Sequence, residues 1–186
     1  MTGDVAGSSL VAGSSQERRE MKDKNPDSAS NRMPNFNEEG MAISFVVPNF
    51  YGENAEGGVR MRVSRLVPRD ISVQESMDLA VKACRLACLG ADVIRGRLPG
   101  RMLERFVSNN SLDRILYLSQ LMQSDSNEGP LHRHMPSVPA YLFGTVVNRD
   151  CFDACVGLSV GYDDYQVSLV LRRKGGRWVC TTLDFG

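Results

Sequence analysis

A chain of 186 residues with 42% hydrophobic content has room for one domain with a sizeable core plus polar tails. Its 22 basic and 22 acidic residues cancel, which excludes the global positive field behind non-specific attraction to nucleic acid or anionic membranes. Five cysteines, with no basic stretch followed by an apolar core at the N-terminus, read as the reduced thiols of a cytoplasmic protein.

Residues 1–40 are rich in Ser, Gly, Asn, Asp, Glu and Lys. Such a stretch cannot bury enough apolar surface to offset the entropy of ordering it, and reads as a disordered tail. Residues 41–70 read as a linker around an apolar island from Ile43 to Tyr51, which carries Phe45, Phe50 and Tyr51. Its apolar run Ile43–Val47 stops at Pro48 and is far too short to span a bilayer. The island fits either a strand docked on the domain's own sheet edge or a linear motif offered to another protein.

The folded domain is expected over 71–186. Ser72-Val73-Gln74-Glu75 has the pattern of a capping box. A helix follows with Met77, Val81, Cys84 and Cys88 on one stripe, and Gly96 is placed to cap it. Arg101–Val107 reads as a short second helix, and Ser111 as the cap of a third running from Leu112 to about Met122. A polar loop, Ser124–Pro139, leads to a meander that begins near Tyr141. There Val156, Leu158 and Val160, then Val167, Leu169 and Leu171, alternate with mostly small or polar residues, and turns are expected near Asp150, Asp163-Asp164 and Lys174–Gly176. The reading is α+β: two to three helices packed on a four-stranded antiparallel sheet, helices first. Leu103, Phe106, Leu116, Leu183 and Phe185 complete the expected core.

Gly96-Arg97-Leu98-Pro99 and Arg173-Lys174-Gly175-Gly176-Arg177-Trp178-Val179-Cys180 together resemble a family of small actinobacterial proteins described as alanine-, arginine- and proline-rich. The resemblance spans about 72–186, although this chain is less Ala- and Arg-rich. It implies an NTF2-like or cystatin-like arrangement and a bacterial cytoplasmic setting, and it brings no catalytic residues.

Chemistry-bearing residues are sparse. Cys84-x-x-x-Cys88 and Cys151-x-x-x-Cys155 could supply four thiols to zinc, but the first pair occupies an apolar helical stripe, where cysteine acts as a small hydrophobe. His132 and His134 lie in a Pro-flanked loop with no third ligand or orienting carboxylate in sight. Cys151 or Cys155 paired with a histidine lacks an activating environment. No phosphate loop, dinucleotide fingerprint or acidic triad is present, so no cofactor or metal is implied. Arg95, Arg97, Arg101 and Arg105 form one basic cluster; Arg172, Arg173, Lys174 and Arg177 form another. Neither is interleaved with aromatics as base-stacking platforms require, so nucleic acid is disfavoured. The expected function is a non-enzymatic protein-interaction or adaptor module. Phe45, Phe50, Tyr51, Arg97, Arg101 and Trp178 are its candidate contact residues, the partner is a protein, a membrane is excluded, and a homodimer through the sheet is one arrangement open to it. The alternative is an NTF2-like pocket that binds a small ligand or performs simple acid-base chemistry; such a pocket needs polar side chains pointing inward from the sheet.

Overall fold

The computed structural model describes residues 35–36, 41–48, 58–124 and 134–186. The tail expected at 1–40 lies outside them, apart from a short pairing at Asn35–Phe36. In chain order the elements are β1 (Asn35–Phe36), β2 (Ala42–Val47), β3 (Val59–Arg65), α1 (Val73–Ile94), α2 (Asn109–Ser124), β4 (Val138–Asn148), β5 (Cys151–Val160), β6 (Asp163–Lys174) and β7 (Arg177–Phe185). A 3-10 turn at Gly100–Met102 lies between the helices.

The α+β class holds, but the four-stranded antiparallel sheet preceded by helices does not. The strands form one seven-stranded sheet in sequential order, six of them longer than the two-residue β1. The sheet is mixed, because β3 and β4 run parallel while every other neighbouring pair is antiparallel. Three strands therefore precede the helices, which form the crossover that a parallel pair requires. The two longer ones, β2 and β3, come from the stretch expected to be a linker. Phe45, in the apolar island, is buried in the core, so this part of the island is a strand of the domain's own sheet. Phe50 and Tyr51 lie outside the described residues.

Helix α1 forms where its signals predict. Ser72 Oγ accepts from the Glu75 amide at 3.0 Å, the first half of a capping box. The Glu75 carboxylate turns to β6 and β7 instead, accepting from Trp178 Nε1 at 3.1 Å and from Arg173. At the other end Gly96, at φ +73°, allows Gly96 N to reach Val93 O and Arg97 N to reach Asp92 O at 2.8 Å. This is a Schellman closure, and the left-handed residue it needs is glycine.

Helix α1 lies against the sheet's inner face, where Leu79, Ala80, Ala83, Cys84, Ala87 and Cys88 meet Val63, Leu142, Phe152, Val156, Leu169 and Leu171 in one core. Small residues on α1 permit the close approach. A Cβ on Gly90 would fall 2.8 Å from Phe185 Cζ and 3.0 Å from Leu183 Cδ2. The segment expected as a second helix is the 3-10 turn plus an extended piece at Phe106–Ser108 along the edge of β7. Cys180 N donates to Phe106 O and Ser108 N to Cys180 O, both at 2.8 Å. This closes an edge that would otherwise present unpaired amides. Phe106 and Leu116, expected in the core, are 43% and 37% exposed. Helix α2 begins two residues before its expected cap, and Ser111, Ile115 and Ser119 face inward. Ser111 Oγ donates to Thr181 O at 2.7 Å and Ser119 Oγ to Val93 O at 2.9 Å.

Candidate functional site

Period-two alternation gives each strand a second face, and both helices pack on the first. The register places the outward residues in rows across the sheet. Val46, Arg60, Tyr141, Gly157 and Gln166 form one row; Ser44, Arg62, Phe143, Cys155, Ser168 and Asp184 form the next; Ser64, Thr145, Asp153, Val170 and Thr182 form a third. The centre is aromatic. Phe143 is 57% exposed and Tyr141 36%, with ring centroids 5.4 Å apart at 51°. A Cβ on Gly157 would fall 2.3 Å from Tyr141 Cε1, so the tyrosine ring rests against bare glycine backbone on β5. On the β3 side the register partner of each ring is an exposed arginine: Arg60 beside Tyr141, Arg62 beside Phe143. Gln166 Nε2 donates to Cys155 Sγ at 2.8 Å, and Asp184 is paired with Arg114 of α2 at 2.7 Å.

The sequence-predicted contact residues are not brought together. Phe45 faces the core. Arg97 belongs to a buried cluster at the α1–β4 junction: Asp92, only 1% exposed, holds Arg95 Nη2 and Arg97 Nη1, each at 2.5 Å. Asp92 Oδ1 also accepts from Ser137 Oγ at 2.8 Å and from Ser137 N at 3.2 Å, while Arg95 Nη2 donates to Met135 O at 2.9 Å. Arg95 and Asp92 together lock the end of α1 to the start of β4, while Arg97 pairs with Asp92 from the residue after Gly96. Arg101 is exposed in the 3-10 turn.

Trp178 is half-buried against the core at the α1–β6–β7 seam. Its ring carries the Arg173 guanidinium 4.9 Å from its centroid, and Lys82 Nζ donates to Trp178 O at 2.7 Å. A shift in the β6–β7 register between Val170 and Leu171 leaves Thr181 as an extra residue. Strict alternation would put Trp178 and Cys180 on the opposite face from Leu183 and Phe185; the bulge brings all four to the inner side. Trp178→Ala is expected to cost about 2 kcal/mol, below the roughly 3–5 of a fully buried aromatic. Tryptophan emission should be partly protected from iodide in the native protein; a freely quenched, red-shifted maximum would contradict this seam.

The thiols divide between the two faces. Cys84, Cys88 and Cys180 are in the core, whereas Cys155 is half-buried on the outer face, so the four-thiol zinc arrangement does not assemble. Among the described residues no three His, Cys, Asp or Glu side chains converge as metal ligands. His132 lies outside the described residues, and His134 is exposed. Burial raises the Cys84 thiol to about 12, helped by Cys88. Burial, reinforced by Asp92, raises Cys88 to about 12, and burial raises Cys180 to about 11. None is a thiolate at neutral pH. Because the folded state favours the neutral thiols, their stabilisation is fully present below the ordinary value of 9.0 and is lost as pH rises through about 11–12. Urea unfolding at stepped alkaline pH should show the midpoint falling from pH 9 upward, less steeply in Cys84→Ala than in the parent. At neutral pH a thiol reagent should modify Cys155 first and the three core thiols only on unfolding. Labelling of Cys155 faster than that of a free thiol under the same conditions, or of buried Cys151 in the native protein, would instead point to an activated nucleophile.

No described helix is long and apolar enough to cross a membrane. Comparison of the chain with protein-family models, curated proteins and solved structures finds no match.

Proposed function

We propose that this protein is a non-enzymatic interaction module that docks its partner on the open outer face of the sheet. The carrying observation is the exposed Tyr141–Phe143 pair on the central strand, flanked in register by Arg60 and Arg62. Exposed aromatics and arginines are the residue types that dominate interface energetics, and a contiguous group of them is a stronger sign of docking than scattered apolar residues. The inner face supports the same reading. From Ile43 on β2 to Leu183 on β7 its side chains are apolar and packed by α1, without the inward polar groups that a ligand pocket or acid-base site uses. The buried charged residues among those described, Asp92 and Arg65, lie at element ends, where they hold the connections. Arg65, for example, donates to Pro68 O and Ile71 O.

The test uses the full chain, because removing residues 1–70 would take β2 and β3 with the tail. Tagged parent, Tyr141→Ser/Phe143→Ser, and a helix-face control, Tyr117→Ser/Leu121→Ser, are compared for the macromolecules they retain in their own cell extract. Loss confined to the sheet-face variant is expected. Equal retention by all three would move the docking surface elsewhere.

A further inference from the structure

We propose that the outer face is a stacking platform for single-stranded nucleic acid, with Tyr141 and Phe143 each taking a base and Arg60 and Arg62 following the phosphates. This deepens the docking-surface reading above and rests on it. Three features of the face favour this chemistry over a protein partner. First, the two rings sit at i and i+2 on a central strand, 5.4 Å apart between centroids. Tyr141 lies back on the glycine backbone of β5, a surface a base can stack on without competing for side-chain space. Every base offers a π-face, so such a pair holds neighbouring bases of an unpaired strand without needing a sequence. Second, each ring has an exposed arginine as its register partner, placed by the parallel β3–β4 pairing. A polyanion running along β3 would meet two cations one strand spacing from the rings. Arg172 adds an exposed third on the same face. The carboxylates on this face are Asp153 in the third row, Asp164 next to Gln166 along β6, where it accepts from Ser159 Oγ, and Asp184, which is already engaged by Arg114. Third, the rings stand in a polar field. Ser44, Ser168, Gln166 and Thr145 share or adjoin their rows, with Val46 and Val170 as the apolar members, whereas the buried centre of a protein–protein interface is depleted of charge and more apolar than the surface around it. These groups suit hydrogen bonds to base edges and sugars.

This arrangement differs from the two basic clusters conspicuous in the sequence. Arg97 is locked to Asp92, and Arg173 is held by Glu75 and the Trp178 ring. The relevant arginines come from β3, and only the crossover brings them beside β4. The neutral charge of the chain and the small number of phosphates contacted, two or three, imply modest affinity with a shallow salt dependence, a slope of log affinity against log salt of about −2.

The experiment is fluorescence anisotropy of the full chain with end-labelled, mixed-sequence RNA and DNA single strands of about ten nucleotides, long enough for one such platform. It is run at low salt and repeated at increasing salt. Saturable binding is expected, and a duplex of the same sequence should compete poorly. Tyr141→Ala or Phe143→Ala should each weaken binding about tenfold, while Tyr141→Phe, which keeps the ring, should stay close to the parent. Arg62→Gln should weaken binding to all sequences alike and reduce the slope of log affinity against log salt by about one. Thermal melting of each variant confirms that it is folded. Absence of saturable binding to either strand at low salt overturns the proposal, as does binding that is indifferent to loss of both rings. If the sheet-face variant loses a protein partner, or a concentration-dependent dimer seen by sedimentation, while no oligonucleotide binds the parent, this inference falls and the docking-surface reading stands. If the extract comparison shows no dependence on the face, both fall.

Discussion

Replacing Phe152 by alanine is expected to cost about 3–5 kcal/mol, the range for deleting a fully buried aromatic. Phe152 is 0% exposed and among the largest fully buried side chains. On β5 it pairs with Val146 on one side and Leu171 on the other, so its ring sits mid-sheet beneath α1. The space it uses is left by Gly144: a Cβ there would fall 2.6 Å from Phe152 Cζ and 3.3 Å from Leu142 Cδ2. Gly144→Ala should therefore destabilise by about 1–3 kcal/mol through overpacking. The two changes should not add, because Phe152→Leu makes room for the new methyl and the double variant should cost less than the sum. Urea unfolding of the parent and these four variants measures this. A Phe152→Ala cost under about 1 kcal/mol would mean that β5 does not carry the core.

Removal of the Asp92 carboxylate is expected to be comparably damaging. Asp92→Ala takes this carboxylate away from Arg95, whose side chain is 7% exposed, and it also strips the Ser137 amide and hydroxyl of their acceptor. Breaking a buried pair from one side costs about 3–5 kcal/mol. Arg97→Ala should cost much less, because that side chain is 29% exposed and already partly solvated. Asp92→Leu combined with Arg95→Leu should recover part of the loss, since replacing both partners leaves no stranded charge. Chemical denaturation decides: equal costs for Asp92→Ala and Arg97→Ala would remove the cluster from its role as the clamp between α1 and β4.

Local signals in the sequence were legible where one segment carried them. Ser72, Glu75 and Gly96 bounded α1, and the alternation from Val156 to Leu171 gave β5 and β6 their inward faces. The turn expected at Asp163-Asp164 falls two residues earlier, at Gly161-Tyr162, because Gly161, at φ +64°, supplies the left-handed residue and leaves both aspartates in β6. The Thr181 bulge reverses the facing of Trp178 and Cys180, and nothing in the alternation of β7 announces it. Phe106 and Leu116 looked like core residues by composition, but Phe106 lies on a segment whose backbone is committed to capping the β7 edge. The alternation Val59-Arg60-Met61-Arg62-Val63 is a strand pattern in its own right. Its significance was hidden because its neighbour in space is β4, beyond both helices, and a parallel pairing at that separation depends on tertiary packing of the crossover. The docking surface was illegible for the same reason: one strand supplies the arginines and another the rings.

The central claim is that the sheet has one filled face and one open face, with Tyr141 and Phe143 on the open one. Hydroxyl-radical footprinting of the intact full-length chain, read residue by residue by mass spectrometry, tests it most directly. Tyr141 and Phe143, 36% and 57% exposed, should be oxidised in the native protein, more slowly than the fully exposed Tyr162, while Phe45 and Phe152 stay protected until the protein unfolds. Protection of Tyr141 and Phe143 to the level of Phe152 in the monomer would mean that the chain covers this face itself, and would contradict the account.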